Sequence, residues 1–418
     1  MDMKGIQGPS TYRMTGHLKD FQESPLLFLR HLSEYGETTR FRLGHRKFYL
    51  TTNPQMVKDV VFTKNNSFVD VGIKNVVRAL HVHDLFEFNF LLGMPNIKSS
   101  FVKKHFSTCR IDHRTIIQSY LSLWKSGSLR IFNEEVQELA LWLLAHSFFG
   151  VTQNHDLTTH LKKIAELRTK RHQPSMVKVR LPKVGKQNQI ETDAIAGVVS
   201  CLQSRYDNQL VDEQRYIYDT LVNEDESGIL QRFFITYDLI CNACSWLMYT
   251  LCEHEDILRH VQLLKGHEQD EYMRMVILES LRLYPPIWLF GKQAVETVQV
   301  DNYVFKKNET IFISPYSLHR NEAYFLEPHE FLPERFCLDL NVDIPKHLYL
   351  PFGMIAETEA QMEYVMTMAR AIVLPIVTSF DIKKVRSIIH PKGEILLEMK
   401  EPFSIVITKE KLPIVTSL

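Results

Sequence analysis

Glu279 and Arg282 stand three residues apart in Glu279-Ser280-Leu281-Arg282-Leu283-Tyr284-Pro285-Pro286. On a helix this spacing puts a carboxylate and a guanidinium on one face. Met275, Val276, Leu278 and Leu281 surround them, so the pair is expected to be buried. A buried ion pair needs additional hydrogen-bond partners. Arg335, in Pro333-Glu334-Arg335-Phe336, is the candidate third member of a structural Glu–Arg–Arg network. Asp238 is different: it is the only formal charge in the apolar run 233–252. A carboxylate there is costly unless it finds a partner. A distant basic residue is one candidate to pair with it.

Other chemistry is sparse. The six cysteines, at 109, 201, 241, 244, 252 and 337, form no paired zinc pattern and no dense disulfide framework, which fits a reducing cytoplasm. His254, His260 and His267 lack a regular ligand set and read as solvated. Signatures of serine hydrolases, nucleotide-binding loops, zinc proteases and dinucleotide folds are missing. Lys+Arg and Asp+Glu both number 49, so the charge balance gives no argument for a nucleic-acid partner. The local basic stretch 162–186 reads as a solvated helix and loop.

The elements that must hold these residues are mostly helical. Residues 25–35 form an amphipathic helix. Strands over 38–43 and 48–52 follow, joined at Gly44-His45-Arg46, and a helix restarts at 54–62. Residues 66–98 look irregular, and helical periodicity then dominates to about 283, with 133–149 the strongest case. The run 233–252 is about long enough to cross a bilayer. Its position mid-chain and its Thr236, Asn242 and Ser245 favour a buried central helix over a span. Beyond 285, strands are expected at 295–300, 303–305 and 310–313. A last helix is expected over 357–375, then a small sheet over 380–408 with Pro391-Lys392-Gly393 as its turn. The N-terminus shows no export signal. The reading is one domain over 1–418, mainly α with small β-sheets: a helix-rich body at about 54–283 and β-containing parts at about 36–53 and 295–410.

The motif 279–286 is followed in order by Leu289-Phe290-Gly291-Lys292, Ile313-Ser314-Pro315-Tyr316-Ser317-Leu318-His319-Arg320, Phe331-Leu332-Pro333-Glu334-Arg335-Phe336 and Leu350-Pro351-Phe352-Gly353. In this register they resemble the C-terminal half of a cytochrome P450, and the helix and hairpin around 25–52 extend the resemblance over most of the chain. The resemblance implies a triangular prism of helices with small sheets. It also implies haem held by a cysteine thiolate, monooxygenation of a small hydrophobic substrate, and electrons from a separate redox partner.

The chain departs from that pattern at the reacting centre. The haem loop of the family reads roughly F-x-x-G-x-R-x-C-x-G; counting from Phe352, the required positions hold Ile355, Glu357, Glu359 and Gln361. Counting back from the following helix puts Met354 where the cysteine is expected. A thioether is neutral and lacks the thiolate push, so a packing role suits Met354 better. The oxygen-side helix resembles Ile235-Thr236-Tyr237-Asp238-Leu239-Ile240, in which Asp238 keeps the acid while Leu239 and Ile240 replace hydroxyls. The resemblance assigns haem-propionate contacts to His105, Lys292 and His319; lysine lacks the bidentate fork of arginine. The expectation is therefore a P450 scaffold for a small hydrophobic ligand whose catalysis is degenerate. The alternative is a haem-free auxiliary or binding subunit that supports a partner enzyme.

Overall fold

The computed structural model describes residues 6–71, 113–151, 155–172, 184–207, 226–337, 344–353, 358–385, 388–394 and 396–410. His105, Met354, Glu357 and most of the aromatic stretch 66–98 lie outside the described residues.

Two short helices, α1 (Leu18–Glu23) and α2 (Pro25–Ser33), precede an antiparallel hairpin of β1 (Thr38–Leu43) and β2 (Arg46–Thr51). The turn is tighter than the spacing implied. Leu43 pairs with Arg46, leaving Gly44 and His45 in the loop, and Gly44 takes φ 59°. Asn53 caps α3 (Pro54–Lys58) by accepting from the Met56 N–H at 2.9 Å, and the chain passes into a π-helical turn at Asp59–Thr63. Residues 68–71, inside the stretch expected to be irregular, form β3 (Phe68–Val71).

The helical body follows: α4 (His113–Leu121), β4 (Leu129–Ile131), α5 (Phe132–Phe149), α6 (Asp156–His172), α7 (Val184–Asp207) and α8 (Glu226–Glu253). The helix α8 contains the apolar run that might have been taken for a span. It lies at the centre, with α5 on it, where Phe148 meets the Phe233 ring edge-on at 5.4 Å and Phe149 stacks on it at 5.6 Å. Next come α9 (Glu255–Leu263) and α10 (Gly266–Leu283), which carries Glu279 and Arg282 and also packs on α8.

The β part then opens with β5 (Phe290–Ala294), followed by β6 (Val298–Val300), β7 (Tyr303–Phe305), β8 (Thr310–Ile313) and the short α11 (Pro315–Leu318). The strand β5 has no sequence alternation to reveal it, because residues on both of its faces are buried. The main sheet runs β1-β2-β8-β5-β3, with β8 parallel to β2 and antiparallel to β5. The last helix, α12 (Thr358–Ser379), runs past Pro375 instead of stopping there. Gln262 Nε2 donates to the Val377 carbonyl at 2.8 Å and secures the extra turn. Among the described residues, the stretch Met362–Ser379 is apolar and long enough to cross a membrane; α12 packs against α8, α10 and α4.

The tail holds β9 (Phe380–Lys384), β10 (Pro391–Gly393), β11 (Leu397–Met399) and β12 (Ser404–Glu410). The expected turn at 391–393 is a correction: those residues are the strand β10, and the chain reverses between Gly393 and its partner Leu397. Tertiary contact decides this. A Cβ on Gly393 would lie 2.9 Å from the Trp288 ring, so only glycine lets the hairpin settle there.

Candidate functional site

The expected Glu–Arg–Arg network forms, with the Glu279–Arg282 pair completely enclosed and Arg335 at its more open side. Glu279 and Arg282 are both 0% exposed. Arg282 Nε donates to Glu279 Oε2 at 2.7 Å and Nη2 to Oε1 at 2.9 Å, while Arg335 Nε donates to Oε1 at 3.2 Å. The Leu332 N–H adds a bond to the same oxygen at 2.9 Å. The remaining Arg282 donors reach the carbonyls of His319, Pro328 and Glu330 at 2.7, 2.7 and 2.9 Å. Each of the five N–H groups of the guanidinium therefore has an acceptor. The network ties α10 to the loop 319–335, and nothing in it is left over for a reaction.

His319 lies inside the same framework, fully buried. One ring nitrogen, Nδ1, faces the Arg282 carbonyl at 3.0 Å; the other, Nε2, accepts from the Leu350 N–H at 2.9 Å. Burial pushes its pKa down to about 3, helped by the nearby Arg282 and Arg320 charges. The ring is thus a neutral bracket between α10 and the segment leading to Phe352, stacked on Tyr349 at 5.3 Å. Arg320 beside it lies over the Tyr316 ring at 3.9 Å and donates to the Leu283 carbonyl.

Lys292 is also buried, on β5, and Nζ meets Asp70 Oδ1 of β3 and Asn65 Oδ1, each at 2.8 Å. No sequence signal predicted this pairing, because Asp70 and Asn65 are more than two hundred residues away. His105, the third expected propionate contact, lies outside the described residues.

Asp238 faces Arg168 of α6, whose Nη2 donates to Oδ2 at 2.5 Å, and the same guanidinium lies 5.0 Å over the Phe234 ring. The distant basic partner thus comes from the stretch read as solvated; Arg168 is 13% exposed, and its charge is matched inside the protein. Along the same helix, the Thr236 and Ser245 hydroxyls donate back to the Arg232 and Cys241 carbonyls at 2.8 and 2.7 Å, so they serve the helix itself.

These positions bear directly on whether a haem fits. Ile235, Thr236, Leu239 and Ile240, which would line its oxygen side, are all buried by the protein's own atoms. The loop start is closed in the same way: a Cβ on Gly353 would lie 2.9 Å from Ile287 and 3.2 Å from Phe290. Gly353 holds φ 63°, and the Ile287 N–H donates to the Pro351 carbonyl at 3.1 Å. Cys241, Cys244 and Cys252 lie on α8, where burial pushes their thiols up and away from the thiolate an iron ligand requires. Cys337 closes the 3-10 turn after Arg335, and the sequence has no cysteine beyond it. The loop in which the resemblance expects the iron ligand, 354–357, lies outside the described residues, and among those described no cysteine stands beside its start at Phe352 and Gly353.

Comparison with known proteins places the chain. The sequence model for the family described as Cytochrome P450 matches residues 241–354, the span that holds α10, the Glu279 network and the loop start. The chain is 22% identical over 409 residues to Cytochrome P450 3A16 of Mus musculus, covering 84% of this chain and 80% of that protein. It is 21% identical over 383 residues to cyclooctat-9-en-7-ol 5-monooxygenase of Streptomyces melanosporofaciens, covering 82% of each. It is also 24% identical over 212 residues to Cytochrome P450-like protein L532 of Acanthamoeba polyphaga mimivirus, covering 45% and 43% respectively.

Proposed function

Since the chain belongs to the cytochrome P450 family, we propose that it keeps the family scaffold for a small hydrophobic ligand while having lost the haem-dependent oxygenation. The observation that carries this reading is the closed oxygen-side face of α8, where Ile235, Leu239 and Ile240 are buried in the chain's own packing. The distribution of intact and altered residues supports it. The Glu279–Arg282–Arg335 set, which holds segments together, has all its bonds. The groups that would hold or serve a cofactor have changed type or taken other partners: Lys292 with Asp70, Asp238 with Arg168. Asp238 in this reading is a remnant of a proton-relay acid, now a helix-to-helix tie.

The role that follows is an auxiliary or binding subunit in the cytoplasm, working beside a partner enzyme. The similarity to cyclooctat-9-en-7-ol 5-monooxygenase favours the other outcome, an active enzyme with a redox partner. The visible spectrum of the purified chain after hemin addition, oxidised and then reduced under CO, separates the two. We expect no stoichiometric Soret band. A stoichiometric band with a thiolate-type CO shift would overturn the proposal and restore monooxygenation.

A further inference from the structure

We propose that residues 6–23 form a strap over the edge of the main sheet and that His17 is its catch, released in mild acid.

The strap lies along β1, whose outer edge would otherwise present unpaired backbone groups. The Arg40 N–H donates to the Gln7 carbonyl at 2.9 Å, the His17 N–H to the Arg42 carbonyl at 2.8 Å, and the Gly44 N–H to the Thr15 carbonyl at 2.8 Å. Gly16 forms an antiparallel bridge with Leu43. Two glycines make the approach possible. A Cβ on Gly8 would lie 1.8 Å from the Arg40 carbonyl oxygen, and one on Gly16 2.5 Å from that of Arg42. Beyond the bridge, α1 lays Phe21 on the Trp288 ring, with centroids 6.5 Å apart. Trp288 in turn donates to the Glu394 carbonyl and adjoins Ile287, against which Gly353 closes. The strap therefore covers the flank of the candidate site.

His17 is the one titratable side chain buried in this seam. Its Nδ1 meets the backbone of Arg42, 3.2 Å from the carbonyl oxygen and 3.3 Å from the amide nitrogen. Its Nε2 is buried with no hydrogen-bond partner, and its ring packs on Phe28 of α2 at 5.8 Å. A proton added here creates an imidazolium with an unanswered N–H. The charged groups facing it are Arg42 of β1, His31 of α2 and Asp20 of α1. Two of the three oppose a positive charge. Asp20, the exception, is half-exposed and already paired with Arg13 at 3.4 Å. Arg42 donates to the Arg13 carbonyl at 2.9 Å, which holds its charge in the seam.

The sign follows from burial, which lowers the His17 pKa below 6.5 in the docked strap. The released strap takes up a proton more readily, so docking is complete above pH 6.5 and weakens as pH falls through the docked-state pKa. Each pH unit in that window raises the fraction released by up to about tenfold.

The test is hydrogen–deuterium exchange of the full chain at pH 7.5 and 5.0, corrected for intrinsic rates, read in peptides covering 6–23 and 38–44. For the wild type we expect protection in both to fall by up to about 30-fold at pH 5.0, while α8 is unchanged. In His17→Phe, which keeps the ring but not the titration, and in His17→Asn, which keeps a hydrogen-bonding group, protection should not differ between the two pH values. Unchanged protection in the wild type, or an equal loss in both variants, overturns the assignment. Loss that spreads to α8 would show global acid unfolding and overturns it as well.

Discussion

Replacing Arg282 by lysine keeps the charge and removes the fork. Arg282 makes five hydrogen bonds, two to Glu279 and three to backbone carbonyls. A lysine ammonium has three donors and cannot span both sides of the network. At least two acceptors then lose their partner inside a site with no solvent. Lost bonds to a buried charged group cost roughly 1.5–3 kcal/mol each, so two of them cost about 3–6 kcal/mol, overlapping the roughly 3–5 kcal/mol of other broken buried ion pairs. For a 418-residue chain unfolding as one unit, an unfolding entropy of about 2.1 cal/mol/K per residue turns 4 kcal/mol into a Tm drop of about 4–5 °C. Arg335→Lys is the internal control. That residue gives Glu279 one bond, at 3.2 Å, from a more open position, and should cost about 1 kcal/mol. Differential scanning calorimetry of the three proteins, run with and without added hemin, measures both. A loss under 1 kcal/mol for Arg282→Lys, or a loss seen only when hemin is present, would refute the claim that this network supports the fold by itself.

Two further outcomes follow from the same geometry. His319 has its pKa pushed down to about 3 in the folded state, so its contribution to stability is complete above 6.5, the unfolded value, and declines as pH falls toward 3. Denaturant midpoints between pH 7 and 5 should therefore fall more steeply for the wild type than for His319→Gln, by roughly 1.4 kcal/mol per pH unit below 6.5; parallel slopes would contradict this. Arg168→Met and Asp238→Asn, combined in a double-mutant cycle, should show a coupling of about 1–2 kcal/mol, discounted for the 35% exposure of Asp238. A coupling near zero would mean that the pair does not tie α6 to α8.

The sequence by itself determined the local architecture and the family. Glu279 and Arg282 on one helix face, the buried course of 233–252 and the hairpin at 38–51 were legible, because helix and strand periods and local spacing carry them; Arg335, 56 residues from Glu279, was only a candidate third partner until the fold brought it there. The missing loop cysteine was equally plain, being a matter of residue types alone. What the tertiary structure decided was where the remaining charges go. Asp238 and Arg168 are 70 residues apart, and no sequence period joins α6 to α8. Lys292 finds Asp70 only because β5 lies between β8 and β3, a strand order that local patterning does not encode. The resemblance reads His319 as a haem-propionate contact; its neutral, fully bonded state arises because α10 and the segment before Phe352 converge on its two nitrogens. The 391–393 turn became a strand for the same reason, since the Trp288 ring selects where that hairpin bends. Residue types set which groups are available, while long-range packing sets their partners, and with them whether a charge is held for structure or left free for chemistry.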